Sequence, residues 1–140
     1  MQSGPDASDE RIAYALLRVV AGVNLLMHGV SRTLAGPANF AGKLVDQFAM
    51  TRLPPWSVWG FGLLLPSVEM LLGALLLPGV RTKPVLIGCG VLMVVLTIGS
   101  ALVQDWSATG WQLVYGLVFS VLLFMRRYNG WSVDSWMGWD

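Results

Sequence analysis

The chain has 140 residues, of which 55% are hydrophobic and only 12% charged, with a mean hydropathy of +0.63 and a formal net charge of +1. Soluble domains carry about 25% charged residues, so this composition points to an integral membrane protein, and the length to one domain. The near-neutral balance gives no electrostatic footing for nucleic acid. The single cysteine, Cys89, excludes an intrachain disulfide, a CxxC thiol relay and a multi-cysteine metal site.

The opening MQSGPDASDE is acidic and polar. It lacks the basic start and uninterrupted apolar core of a secretory signal, so the first helix is expected to be retained. Asp9 and Glu10 suit the positive end of a helix dipole. The stretch from Ile12 to Leu34 is long enough to cross a bilayer, yet it carries Arg18, Asn24, His28 and Arg32. At about 100° per residue these four fall within an arc of about 120°, opposite a face of Val, Leu, Ile and Ala. Ionisable groups in hydrocarbon cost roughly 2.5–3.5 kcal/mol each on insertion scales, so they face a bundle interior or a water-filled cavity. Gly36-Pro37 stops this helix.

Residues 37–55 are too polar and short to span. Phe40, Leu44, Val45 and Phe48 recur at helical spacing among Lys43, Asp46 and Gln47. This predicts a short amphipathic helix at the interface or capping the bundle. The second span runs from Trp56 to about Leu77, with Glu69 as its only charge. Gly62, Pro66 and Gly73 share the face of Glu69, which lets another backbone come close. A basic turn, Pro78 to Pro84, leads to the third span, from Val85 to about Val103. There Cys89, Gly90, Met93, Thr97, Ser100 and Gln104 share an arc. The fourth span runs from about Ala108 to Met125, with Gln112, Tyr115 and Phe119 on one side. Three tryptophans among the last thirteen residues mark an interfacial tail.

The expected architecture is therefore all-α: a four-transmembrane-helix bundle with a short interfacial amphipathic helix between the first two spans. It divides into a polar tail (1–11), a membrane domain (12–127) and a Trp-rich tail (128–140). One side carries the termini and Arg11, Arg81, Lys83, Arg126 and Arg127; the other carries Lys43 and Arg52, plus Arg32 if the helix end is counted. That imbalance predicts both termini in the cytoplasm, and a bacterial inner membrane is the expected location. No internal repeat is evident.

Candidate binding residues come from the short polar inventory inside the membrane: Arg18, Asn24, His28, Arg32, Glu69, Gln104 and Tyr115. Glu69 is the sole acidic group there. At 1.5 Å per residue, Arg18 lies about 9 Å in from Ile12 and Glu69 about 20 Å below Trp56, so Arg18, not Arg32, is the expected partner of Glu69. Such a pair either locks the first two spans together or lines a site. His28 is the only histidine. A bis-histidine haem is excluded within one protomer, and a catalytic metal normally takes about three protein ligands, so no metal site is expected. A lone membrane histidine serves equally to hydrogen-bond a quinone carbonyl, to pass a proton, or to bond Tyr115, Gln112 or a carbonyl for packing alone. Cys89 reads as a packing residue.

Three runs, LLRVVAGVNLLMHGVSRTLAGPANFAG, RLPPW and PSVEMLLGALLLPGVRT, in that order, resemble the DoxX/DoxD-like family of small four-helix membrane proteins. The residues that carry the resemblance are Arg18 and Gly22; His28, Gly29 and Arg32; Phe40; Leu53 and Pro54; Glu69 and Gly73; and Gly79, Arg81 and Thr82. Arg32 stands where that family more often has lysine. The resemblance implies the four-helix fold and, for some members, subunits of thiosulfate:quinone oxidoreductase or partners of redox complexes.

Two functions follow. One is a redox-linked subunit whose polar face binds a quinone headgroup or small anion, with electrons supplied by a cofactor or a partner protein. The other is a non-catalytic accessory subunit of a larger membrane complex. A transporter is disfavoured, because four spans without repeats or broken helices do not make a monomeric one. A cavity at the polar face separates the first two readings.

Overall fold

A computed structural model describes residues 7–139. Among them there are no strands, and the helices are α1 (Ala7–Leu34), α2 (Pro37–Gln47), α3 (Pro55–Leu76), α4 (Thr82–Leu102), α5 (Trp106–Phe124) and α6 (Val133–Met137), with a 3-10 turn at Arg126–Tyr128. Helices α1, α3, α4 and α5 are each long and apolar enough to span a membrane. The all-α, four-span expectation is met. Helix α1 begins five residues before Ile12.

Local chemistry sets the ends. Asp9 and Glu10 occupy the first turn of α1 and Arg32 its last, both favourable to the dipole. Gly36, at φ 95°, makes the sharp corner into α2, where Pro37 needs no N–H partner. Asp105 caps α5 by accepting from the Ala108 N–H at 3.0 Å. Helix α4 has no cap from its own N-cap residue, Arg81, which sits in the left-handed region at φ 50°. The cap comes from the tail: the Asp134 carboxylate accepts from the Arg81 and Thr82 N–H groups, at 2.6 Å each.

Packing is unequal. α1 lies chiefly on α3, α4 chiefly on α5, α2 on α3, and the α1–α5 seam is thin. Small residues fix the α1–α3 approach. A Cβ on Gly22 would sit 2.9 Å from the Leu77 nitrogen, one on Gly29 would sit 2.5 Å from the Pro66 oxygen, and one on Gly73 would strike the Leu26 backbone. Helix α2 seats in the same way, with Ala41 fully buried over Gly62. Leu25, Leu65, Leu76, Leu86, Cys89, Phe119 and Leu122 fill the centre.

The Trp-rich tail folds back on one end of the bundle. The Val133 and Asp134 N–H groups donate to the Pro78 and Gly79 carbonyls, both at 3.0 Å. Asn129 and Asp134 are buried, while Trp131, Trp136 and Trp139 stay exposed.

Candidate functional site

The polar stripe of α1 faces a cavity of about 460 Å³. Helix α1 contributes Asn24, His28 and Arg32 over an apolar floor of Leu17, Val20, Ala21 and Leu25. Glu69 enters from α3, Met93 and Leu96 from α4, and Trp111, Gln112, Tyr115, Val118 and Phe119 from α5. The volume falls in the roughly 300–1,000 Å³ range of small-molecule pockets, and a few polar groups in apolar walls is their usual make-up. Val20, Asn24, His28 and Trp111 are exposed, so the cavity opens along the thin α1–α5 seam.

Glu69 is the deepest charge, with its side chain 3% exposed. Arg32 pairs with its Oε1. The Arg32 guanidinium also lies over the Phe40 ring of α2, 4.7 Å from the centroid, which fixes it from the far side. The other carboxylate oxygen, Oε2, is buried and has no hydrogen-bond donor among the described residues. Such a group costs about 1–3 kcal/mol, more when charged, and calls for a partner.

The His28 ring stands edge-on to Tyr115, with centroids 6.4 Å apart and planes at 77°. Among the described residues, neither ring has a hydrogen-bond partner, nor does the Asn24 amide. Gln112 is held by the Ser100 hydroxyl, which donates to its Oε1 at 2.7 Å. Three side chains without a hydrogen-bond partner among the described residues, Asn24, His28 and Tyr115, thus line one cavity with the Arg32–Glu69 pair. That set can hydrogen-bond a ring with oxygens on opposite edges.

Two expected members lie elsewhere. Arg18 is not the partner of Glu69. It is buried at the other end, where Nη1 donates to Asn129 Oδ1 and Nη2 to the Trp131 carbonyl at 2.7 Å. Asn129 in turn donates to Thr82 Oγ1 at 3.1 Å. The reason is register. Glycine contacts set Gly22 against Leu77 and Gly29 against Pro66 and Met70, which brings Glu69 level with the turn after His28 and Arg18 level with Gly79. Gln104 occupies the α4–α5 turn at φ 57°, exposed and outside the cavity lining.

Phe40, which reads as part of an interfacial apolar face, and Trp111 were missed as site residues. Gln112 shares a face of the fourth span with Tyr115, and that spacing of three was the available signal.

Among the described residues, no group of three His, Cys, Asp or Glu side chains could hold a metal ion. No curated protein and no solved structure matches the chain. One family model does: that of the methylamine utilisation protein MauE, over residues 10–128. This corrects the resemblance to DoxX/DoxD-like proteins. The Arg-x3-Gly and Glu-x3-Gly spacings that carried it place Gly22 and Gly73 where α1 and α3 touch, with a Gly73 Cβ 2.8 Å from the Gly22 oxygen. Short spacings of that kind report a close helix crossing, which different families of small bundles share. With four membrane-length helices and a family match over most of its length, the chain is an integral membrane protein that belongs to the MauE family.

Proposed function

We propose that this protein is a redox-linked membrane subunit acting with other components of methylamine utilisation, and that its cavity takes the headgroup of a membrane quinone. One observation carries the reading: a cavity, open along the α1–α5 seam, lined by His28, Asn24 and Tyr115, whose side chains have no hydrogen-bond partner among the described residues. A quinone reaches such a site by sliding between α1 and α5, its ring entering the polar end and its apolar tail staying in lipid. His28 and Tyr115 supply bonds to ring oxygens. Arg32 balances the Glu69 charge. Electrons come from a bound cofactor or a partner protein, since the one thiol, Cys89, is buried outside the cavity lining. The charge imbalance between the two bundle ends favours cytoplasmic termini in a bacterial inner membrane.

The test is gentle detergent purification of the native protein, with extracted quinones and co-purifying subunits read from one sample. Wild type should retain quinone, and His28→Ala should lose it while remaining folded. A large complex with no quinone, unchanged by His28→Ala, would sink the pocket and leave an accessory subunit.

A further inference from the structure

Away from the cavity, the tail turns one end of the bundle into a basic and aromatic surface. Arg11, Arg81, Lys83 and Arg127 are exposed there and Arg126 is half-buried. None of the five has an ion-pair partner among the described residues. The folded tail gathers them. The Arg81 guanidinium lies over the Trp139 ring, 5.1 Å from the centroid, and the Arg127 guanidinium over the Tyr128 ring at 4.7 Å. Arg11 runs along Gly130, where an added Cβ would sit 3.0 Å from its Cδ. Lys83 stands two residues beyond Arg81, in the first turn of α4. Stacking on a ring leaves the edge of a guanidinium free, and among the described residues the Arg81 side chain donates to nothing.

The carboxylates of this end do not cancel that charge. Asp134 is buried and spends both oxygens on the Arg81 and Thr82 N–H groups. Asp9 and Glu10, in the first turn of α1, set two charges against five cations. Around the cations stand Trp131, Trp136 and Trp139, which are 63%, 86% and 49% exposed. Indole rings, with an apolar body and one N–H, settle at the headgroup level of a bilayer. The tail holds them there by its bonds to the Pro78 and Gly79 carbonyls, at the end where α1 and α4 begin and α3 and α5 stop. Clusters of lysine and arginine beside a span attract anionic lipid. We infer that this face binds the phosphate headgroup of an anionic phospholipid, with Arg81, resting on Trp139, and Lys83 as the groups that hold it. An acidic soluble partner would match the cations alone, whereas a lipid matches both the cations and the outward indoles.

The experiment takes the full chain, delipidated in a neutral detergent, and titrates it with phosphatidylglycerol or with phosphatidylcholine of the same acyl chains. Bound lipid is read by native mass spectrometry. Each lysine or arginine near an anionic surface is worth roughly a fivefold change in affinity, so wild type should bind phosphatidylglycerol about tenfold more tightly or better. Arg81→Gln with Lys83→Gln should remove most of that preference. Lys43→Gln with Arg52→Gln, at the opposite end, should leave it intact. Equal wild-type affinities for the two lipids would overturn the inference. So would a preference that survives Arg81→Gln with Lys83→Gln, or one that disappears in Lys43→Gln with Arg52→Gln. No lipid preference, together with a co-purifying acidic protein lost in Arg81→Gln with Lys83→Gln, would overturn the lipid site and assign the face to that protein. The wild-type comparison decides even if a variant fails to fold.

Discussion

Asp134 caps a helix that begins more than fifty residues earlier in the chain: its two carboxylate oxygens accept the Arg81 and Thr82 N–H groups at the start of α4. These are charge-assisted bonds to orphan donors at the positive end of a helix. Hydrogen bonds to charged groups contribute about 1.5–3 kcal/mol each. Asp134→Ala should therefore lower stability by about 3 kcal/mol, seen as a drop in melting temperature in detergent. Asp134→Asn keeps one acceptor and should lose less. If both variants melt with the wild type, the tail is not fastened as described.

The α1–α3 crossing gives a paired test. An alanine methyl at Gly73 would meet the Leu26 backbone and the Gly22 oxygen, and one at Gly29 the Pro66 oxygen and Met70. Backbone cannot rotate away, so Gly73→Ala and Gly29→Ala should each destabilise by about 1–3 kcal/mol or more. Gly60 and Gly110 are helical glycines with nothing within 4 Å of the added carbon. Gly60→Ala and Gly110→Ala should be neutral or slightly stabilising, since alanine favours a helix by up to about 1 kcal/mol over glycine. Thermal melts of the four variants should split into these two pairs.

Removal of Arg32 leaves the Glu69 charge buried without its ion-pair partner. Breaking a buried pair from one side costs about 3–5 kcal/mol, while replacing both members by apolar groups is often close to neutral. Arg32→Met should thus be strongly destabilising and Arg32→Met with Glu69→Leu much less so. The same cycle run on Arg18 and Glu69 should show no coupling beyond about 0.5 kcal/mol, because they share no partner. Denaturation midpoints measured for both cycles give the two coupling energies directly.

That contrast also marks where sequence reasoning stops. The stripe of Asn24, His28 and Arg32 was legible because helical periodicity depends on one segment alone. So was its need for a polar surrounding. Which arginine meets Glu69 was not legible, because it depends on the axial offset between α1 and α3. That offset is set by Gly22, Gly29 and Gly73 in contact, not by where each apolar run begins. Measuring depth from Ile12 and Trp56 treated both helices as starting flush with the membrane, and α1 starts earlier, at Ala7. The tail was the other blind spot. Its tryptophans announce an interface, but Asn129 and Asp134 become buried partners only through contacts with residues far away in the chain.

Cys89 closes the account of groups capable of chemistry. It is fully buried, among Leu86, Leu92 and Met93 on the same helix, and is absent from the cavity wall. A thiol reacts as the thiolate, which needs access and a polar or cationic setting. A membrane-permeant maleimide should therefore leave Cys89 unlabelled in folded protein and label it fully once the chain is denatured. Cys89→Ala removes one buried heavy atom and should cost about 1 kcal/mol in stability, with ligand affinity unchanged. Rapid labelling in the folded state would show that this part of α4 opens.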